Sequence, residues 1–289
     1  MRRVIYLISG PSHLPNLVCS VATLRHWWAG CVEVFVWPES HRWAERICED
    51  ERLGVKLIPW EPMNRGRHAT YVDKTRLIQS MPAGDSVLFL DADTSISGDI
   101  QPLFDMIEKA GFMVAQWCDW TTKGHMTASR IRSLRGLPGM DRDLINELLA
   151  KSWPSLNTGV FGAIPTSLVL EAWHQYTVLA QSTFIPDEKT AHLLMPTYVP
   201  KGKMIVAGDD GRWNCSPKCQ PLSLDTEDVV IWHYHGDSNL RPKKSERACR
   251  MWREIYNECF DLNMGGLQDW VHEIPSRHLA DLRTKGELR

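Results

Sequence analysis

The chain has 289 residues, enough for one large α/β domain or two small ones, and long enough to bury a core without disulfide or metal staples. Hydrophobic residues make up 43% and charged residues 24%, an ordinary globular balance. Lys plus Arg number 33 against 35 acids, so the formal charge is -2 and no basic surplus marks nucleic acid as a partner.

The apolar run 4–8 after Met1-Arg2-Arg3 stops at Ser9-Gly10-Pro11. It is too short for a secretory core or a membrane span, and no later run reaches membrane length, so the expected location is cytoplasmic. The same run reads as a buried parallel strand. Residues 14–28 carry Leu17, Val21, Leu24 and Trp28 at helical spacing and close on Gly30. Strand 32–37, helix 39–51, strand 55–58, helix 70–81 and strand 86–90 follow. Helix 102–110 and strand 112–117 continue the alternation, which predicts a mostly parallel, doubly wound α/β sheet. Residues 118–153 lose regularity and read as a variable, partly helical insertion over one edge of the site. Strand 156–164, helix 167–181, a late strand 229–235 and a helical tail over 245–289 complete the chain, read as a single domain. Eight cysteines are scattered, with only Cys215 and Cys219 close together, which suits reduced thiols better than a zinc site.

Chemistry concentrates where strand 86–90 ends. Asp91 and Asp93 follow it directly, and ligands of open α/β sheets bind beyond the carboxyl ends of the strands. Two carboxylates two positions apart in extended chain share a face and can hold one hard cation, Mn2+ or Mg2+. Such a cation can bridge two phosphates and stabilise charge on a departing diphosphate. Asp141-Arg142-Asp143 repeats the spacing but opens a helix, where carboxylates favour the positive end of the dipole. Farther on, His233 and His235 lie two apart in a strand, and either imidazole can serve as a metal ligand.

Leu88-Phe89-Leu90-Asp91-Ala92-Asp93-Thr94, with Gly98-Asp99-Ile100 and Leu103, resembles the D-x-D segment of GT-A fold glycosyltransferases. The resemblance is closest to family 8, which includes glycogenin and bacterial lipopolysaccharide galactosyltransferases. Lys74-Thr75-Arg76-Leu77 resembles that family's basic donor-binding helix, and Leu156-Asn157-Thr158-Gly159-Val160-Phe161 its strand beside the donor sugar. Pro186-Asp187-Glu188, Arg212-Trp213-Asn214 and His233-Tyr234-His235-Gly236 resemble three later segments in the family's order. After the last of these, the family's lysine is absent at its expected place, and Arg241 and Lys243 are the candidate substitutes.

The resemblance implies a GT-A fold and hexose transfer, with retention, from a nucleoside-diphosphate sugar such as a UDP-sugar to a hydroxyl of a glycan, lipid-linked or protein acceptor. It implies a metal site of Asp91, Asp93 and one of His233 or His235, with His233 favoured by alignment. Ser9, Gly10, Lys74, Arg76, Asp91, Ala92, Asn157, Gly159 and Gly236 are its expected donor contacts. Asp187 and Glu188 are its catalytic carboxylates, one reading donor hydroxyls and the other near the anomeric carbon. Blander readings stand beside these: a solvated face for Lys74 and Arg76, helix capping for Asp187 and Glu188, core packing for Trp117, Trp120 and Trp153 rather than an acceptor platform. A sugar-nucleotide nucleotidyltransferase is one alternative, disfavoured because Gly10-Pro11-Ser12-His13-Leu14 has one glycine and no Lys or Arg. A non-catalytic carbohydrate-binding protein of the same fold is the other.

Overall fold

Apolar residues on both faces of the first strand set the architecture. In β1 (Arg2–Ile8), Val4, Tyr6 and Ile8 face one core, and Ile5 and Leu7 face a second. A strand buried on both faces needs a helical layer on each side, and the following segments supply them. The computed structural model describes residues 1–63, 68–208 and 210–235, together with 251 and 254. After β1 come α1 (Leu14–Arg25), β2 (Cys31–Val36), α2 (Pro38–Cys48), β3 (Val55–Pro59), α3 (Ala69–Leu77) and β4 (Ser86–Leu90). Then follow β5 (Thr94–Ile96), α4 (Gln101–Ala110), β6 (Phe112–Thr121), α5 (His125–Arg132), α6 (Arg142–Ala150) and β7 (Pro154–Ala163). The last elements are α7 (Leu168–Leu179), α8 (Pro186–Tyr198), β8 (Ile205–Ala207) and β9 (Ile231–His233).

The seven-stranded sheet has the order β3-β2-β1-β4-β7-β6-β8. Only β7 runs against the others, pairing antiparallel with β4 and β6. This mixed, mostly parallel sheet is the α/β fold expected from the alternation. The reversal matters for the site, because Asn157 and Gly159 enter from the middle of β7 beside the end of β4, where Asp91 N–H donates to the Gly159 carbonyl at 2.8 Å. α8 is fastened across β7 by His192, whose Nε2 accepts from Leu156 N–H at 2.9 Å while Nδ1–H donates to the Glu188 carbonyl at 2.7 Å. Burial holds His192 down at a pKa of about 4, so this brace is neutral.

Four expectations change. The late strand is only Ile231–His233, and it pairs antiparallel with β5 in a separate two-stranded sheet. His235 therefore lies past the strand end, with φ of 51°, rather than on a shared strand face with His233. The helix expected over 70–81 ends at Leu77 and tightens into a 3-10 turn, Ile78–Ser80. Within 118–153, β6 continues to Thr121, and α5 and α6 follow. Asp141 caps α6 by accepting from Asp143 and Leu144 N–H at 2.9 and 3.0 Å, as the dipole argument requires. Gly236, Arg241, Lys243 and most of the 245–289 tail lie outside the described residues.

Candidate functional site

A cleft of about 830 Å³ opens beyond the carboxyl ends of β1 and β4. Asp91 and Asp93 leave β4 at its floor, and β5 turns the chain back immediately, pairing Thr94 with His233. That pairing carries the imidazole to the carboxylates: His233 Nε2 is 3.2 Å from Asp93 Oδ1 and 3.6 Å from Asp91 Oδ2. One ligand atom from each of Asp91, Asp93 and His233 lies within 4.8 Å of the others. His235 is not part of this group. Its ring stacks on His233 with centroids 3.8 Å apart, and its buried Nε2 has no hydrogen-bond partner among the described residues.

A chain of amides orients His233. Its Nδ1–H donates to Asn214 Oδ1 at 2.9 Å, and Asn214 Nδ2 donates to Asn157 Oδ1 at 3.1 Å. Asn157 Oδ1 also accepts from Gly159 N–H at 2.8 Å, and Asn157 Nδ2 donates to Glu188 Oε2 at 3.0 Å. Each amide has one self-consistent orientation in this chain, which assigns the proton of the neutral imidazole to Nδ1 and points the Nε2 lone pair at the acids. Burial would lower the His233 pKa, but the Asp93 and Asp91 charges reverse this and raise it. The field that favours a proton there equally favours a cation. Two carboxylates and an imidazole are a suitable donor set for Mn2+ or Mg2+.

Lys74 closes one side. Its ammonium is 2.7 Å from Asp91 Oδ1 and 3.7 Å from Asp187 Oδ2, so burial, which alone would lower its pKa, is outweighed by the two acids. Arg76, two positions on, points elsewhere: it lies over the Trp60 ring at 4.3 Å and donates to the Glu61 carbonyl at 2.6 Å. It does not line the cleft, and neither does Gly10, where an added Cβ would meet only ordinary contacts at 3.8 Å. Ser9 and Ala92 do line it.

Ile185, a β-branched residue at φ of 45°, starts α8 with a strained turn at the cleft wall. The first turn of α8 then presents Asp187 and Glu188. Asp187 Oδ2 accepts from Thr158 Oγ1–H at 2.7 Å, and Glu188 pairs with Arg130 at 2.5 Å. Burial pushes the Glu188 carboxyl up to about 7 even against Arg130, and raises Asp187 as well. Arg130, from α5, is a site residue the sequence reading did not identify. Nothing local in 125–132 distinguishes it from a solvated arginine; its partner Glu188 lies far along the chain. Trp117 and Trp120 pack with centroids 4.7 Å apart in the cleft lining, with Arg130 over Trp117 at 5.7 Å. Trp153 lies apart from the cleft, against Lys151.

No protein-family model matches the sequence, and no curated protein matches it. Solved structures do. Mouse xyloside xylosyltransferase 1 superposes with a TM-score of 0.55 at 12% identity, over 82% of this chain and 99% of that one. The galactosyltransferase LgtC, solved with donor and acceptor sugar analogues, gives 0.54 at 14%, over 89% and 95%. The glycosyltransferase GlyE of Streptococcus pneumoniae gives 0.53 at 14%, over 96% and 64%. With its strand order and cleft already described, the chain has the GT-A fold of the glycosyltransferases.

Proposed function

We propose that the protein transfers a hexose from a nucleoside-diphosphate sugar, a UDP-sugar in the first instance, to a hydroxyl acceptor. The observation that carries this reading is the convergence of Asp91, Asp93 and His233 at the sheet edge, on the floor of a cleft large enough for a nucleotide sugar. These three residues would hold Mn2+ or Mg2+, which supplies positive charge to a leaving diphosphate. Lys74 adds a fixed ammonium on the same side and neutralises Asp91 and Asp187.

The remaining groups position the donor and acceptor. Ser9 and Ala92, at the ends of β1 and β4, border the nucleoside and the first phosphate. Asn157 and Gly159 offer the sugar an amide and a backbone surface without a side chain. Asp187 reads donor hydroxyls, while Glu188, with its pKa near 7 and Arg130 beside it, faces the reacting carbon. Trp117 and Trp120 form the acceptor wall, since indole faces suit the apolar faces of a pyranose. Retention of configuration follows from the family resemblance. The acceptor is a glycan, lipid-linked or protein hydroxyl. No helix among the described residues is long and apolar enough to cross a membrane.

The test is donor cleavage. Incubation with a panel of UDP-hexoses should release UDP from at least one of them with Mn2+ present and from none with a chelator. Absence of UDP release across the whole panel, in protein whose fold is intact by circular dichroism, would overturn the reading.

A further inference from the structure

Cys118 and Cys219 are distant in sequence, yet their sulfurs lie 2.7 Å apart. Two features of the chain bring them together. β6 is irregular after Val114, and Cys118 within it carries φ of 49°, which breaks the alternation of the strand. The segment after Gly208 then crosses this irregularity at close range: a Cβ on Gly211 would sit 2.6 Å from Cys118 Cα, so only a glycine lets the two backbones pass. Beyond that crossing, Cys215 N–H donates to the Ile231 carbonyl at 2.9 Å, and the Cys215 carbonyl accepts from His233 N–H at 2.8 Å. The segment is thus pinned at both Gly211 and Cys215, and Cys219 is delivered to Cys118 rather than left on a loose loop.

Burial gives the two thiols different roles. Cys118 is fully buried, and its thiol is held high, first by the hydrogen bond with Cys219 and then by burial. Cys219 is half-buried and lines the cleft, so a small reagent reaches it first. Neither sulfur has a part in the transfer chemistry proposed above.

We propose that Cys118 and Cys219 form a dithiol modification site on the cleft wall, oxidised to an intramolecular disulfide by low-molecular-weight disulfides of the glutathione class. The Cys219 thiolate attacks one sulfur of the reagent and forms a mixed disulfide; the reagent's other half leaves as a thiolate and takes up the proton Cys219 lost. The Cys118 sulfur, giving its proton to solvent, then attacks Cys219 Sγ and expels the second half, which is protonated in turn. In sum two protein thiols lose two electrons and two protons, and one reagent disulfide becomes two thiols. Because the sulfurs are already in contact, the bond forms with little backbone movement. It ties β6 to the segment that carries Asn214, Ser216 and Lys218, and so fixes one wall of the cleft.

The experiment is non-reducing peptide mapping by mass spectrometry after the full-length protein is incubated with oxidised glutathione. The expected result is a peptide pair joined through Cys118 and Cys219, a fall of two in the titratable thiols, and reversal of both by dithiothreitol. In Cys118→Ser the second step cannot occur, so glutathione should stay attached to Cys219; Cys219→Ser should give no cross-link to Cys118. Overturning results are a persistent glutathione adduct on Cys219 of the unaltered protein, a cross-link to Cys215 instead, or no loss of thiols. The mapping of the unaltered protein decides the matter even if a variant fails to fold.

Discussion

Gly159 stands against His233 so closely that a methyl group there would lie 2.6 Å from the imidazole Nδ1 and 2.9 Å from Asp91 Oδ2, with the ring's Cε1 also in collision. The glycine is thus set by the Asp91–His233 pair rather than by its own backbone. Gly159→Ala should displace both ligands and weaken Mn2+ binding by tenfold or more, the range seen when groups behind metal ligands are disturbed. Titration calorimetry with Mn2+, beside an unchanged far-ultraviolet circular dichroism spectrum, checks this. Unaltered affinity would mean that the three side chains do not act together on a cation.

Asn214 never touches the carboxylates, yet it fixes the imidazole from behind through the 2.9 Å bond to Nδ1. Asn214→Ala should free the ring and cost about tenfold to 100-fold in Mn2+ affinity, with little change in the metal-free melting temperature beyond that of losing one buried amide. The same calorimetric titration reads it. An affinity within twofold of the unaltered protein would remove the amide chain from the account.

Lys74 is buried between Asp91 and Asp187, and removing one partner of a buried ion pair strands the other's charge. Lys74→Met should therefore destabilise the metal-free protein by about 3 kcal/mol. Urea unfolding in chelator measures it. Saturating Mn2+ should recover part of the loss, because a cation again neutralises Asp91. A difference below about 0.5 kcal/mol would place Lys74 among ordinary exposed ion pairs.

Glu188 sets a pH dependence whose sign is fixed. Burial raises its folded pKa from 4.5 to about 7, so between these values the folded state holds a proton that the unfolded state has lost. Stability then falls as pH rises through that window and levels off above it. Melting temperatures of the metal-free protein from pH 4.5 to 8 should show this decline, and Glu188→Gln should flatten it. An equal slope in the variant would assign the effect to another group, Asp187 being the first to examine.

Local periodicity made most of the fold readable. Continuous apolar runs at 4–8 and 86–90 announced strands buried on both faces, and Asp91 and Asp93 were legible because they follow such a run. The contribution of β7 was only half legible: its Asn157 and Gly159 stood out, but its direction depends on pairing with β4 and β6, which no window of sequence contains. Arg76 and Lys74 looked equivalent, being both basic and close on one helix. Packing separated them, giving Lys74 the acids and Arg76 the Trp60 ring. Arg130 and the Cys118–Cys219 contact were hidden for the same reason, since each exists only through a partner far along the chain. The choice between His233 and His235, open in the sequence, rests on a strand that ends at His233 and pairs it with Thr94.

The most direct measurement is UDP binding by titration calorimetry, with Mn2+ and with chelator, for the unaltered protein and for Asp93→Asn. The account predicts binding by the unaltered protein only when Mn2+ is present, and none by the folded variant in either condition. Equal UDP affinity with and without the ion, or full Mn2+-dependent binding by Asp93→Asn, would contradict it.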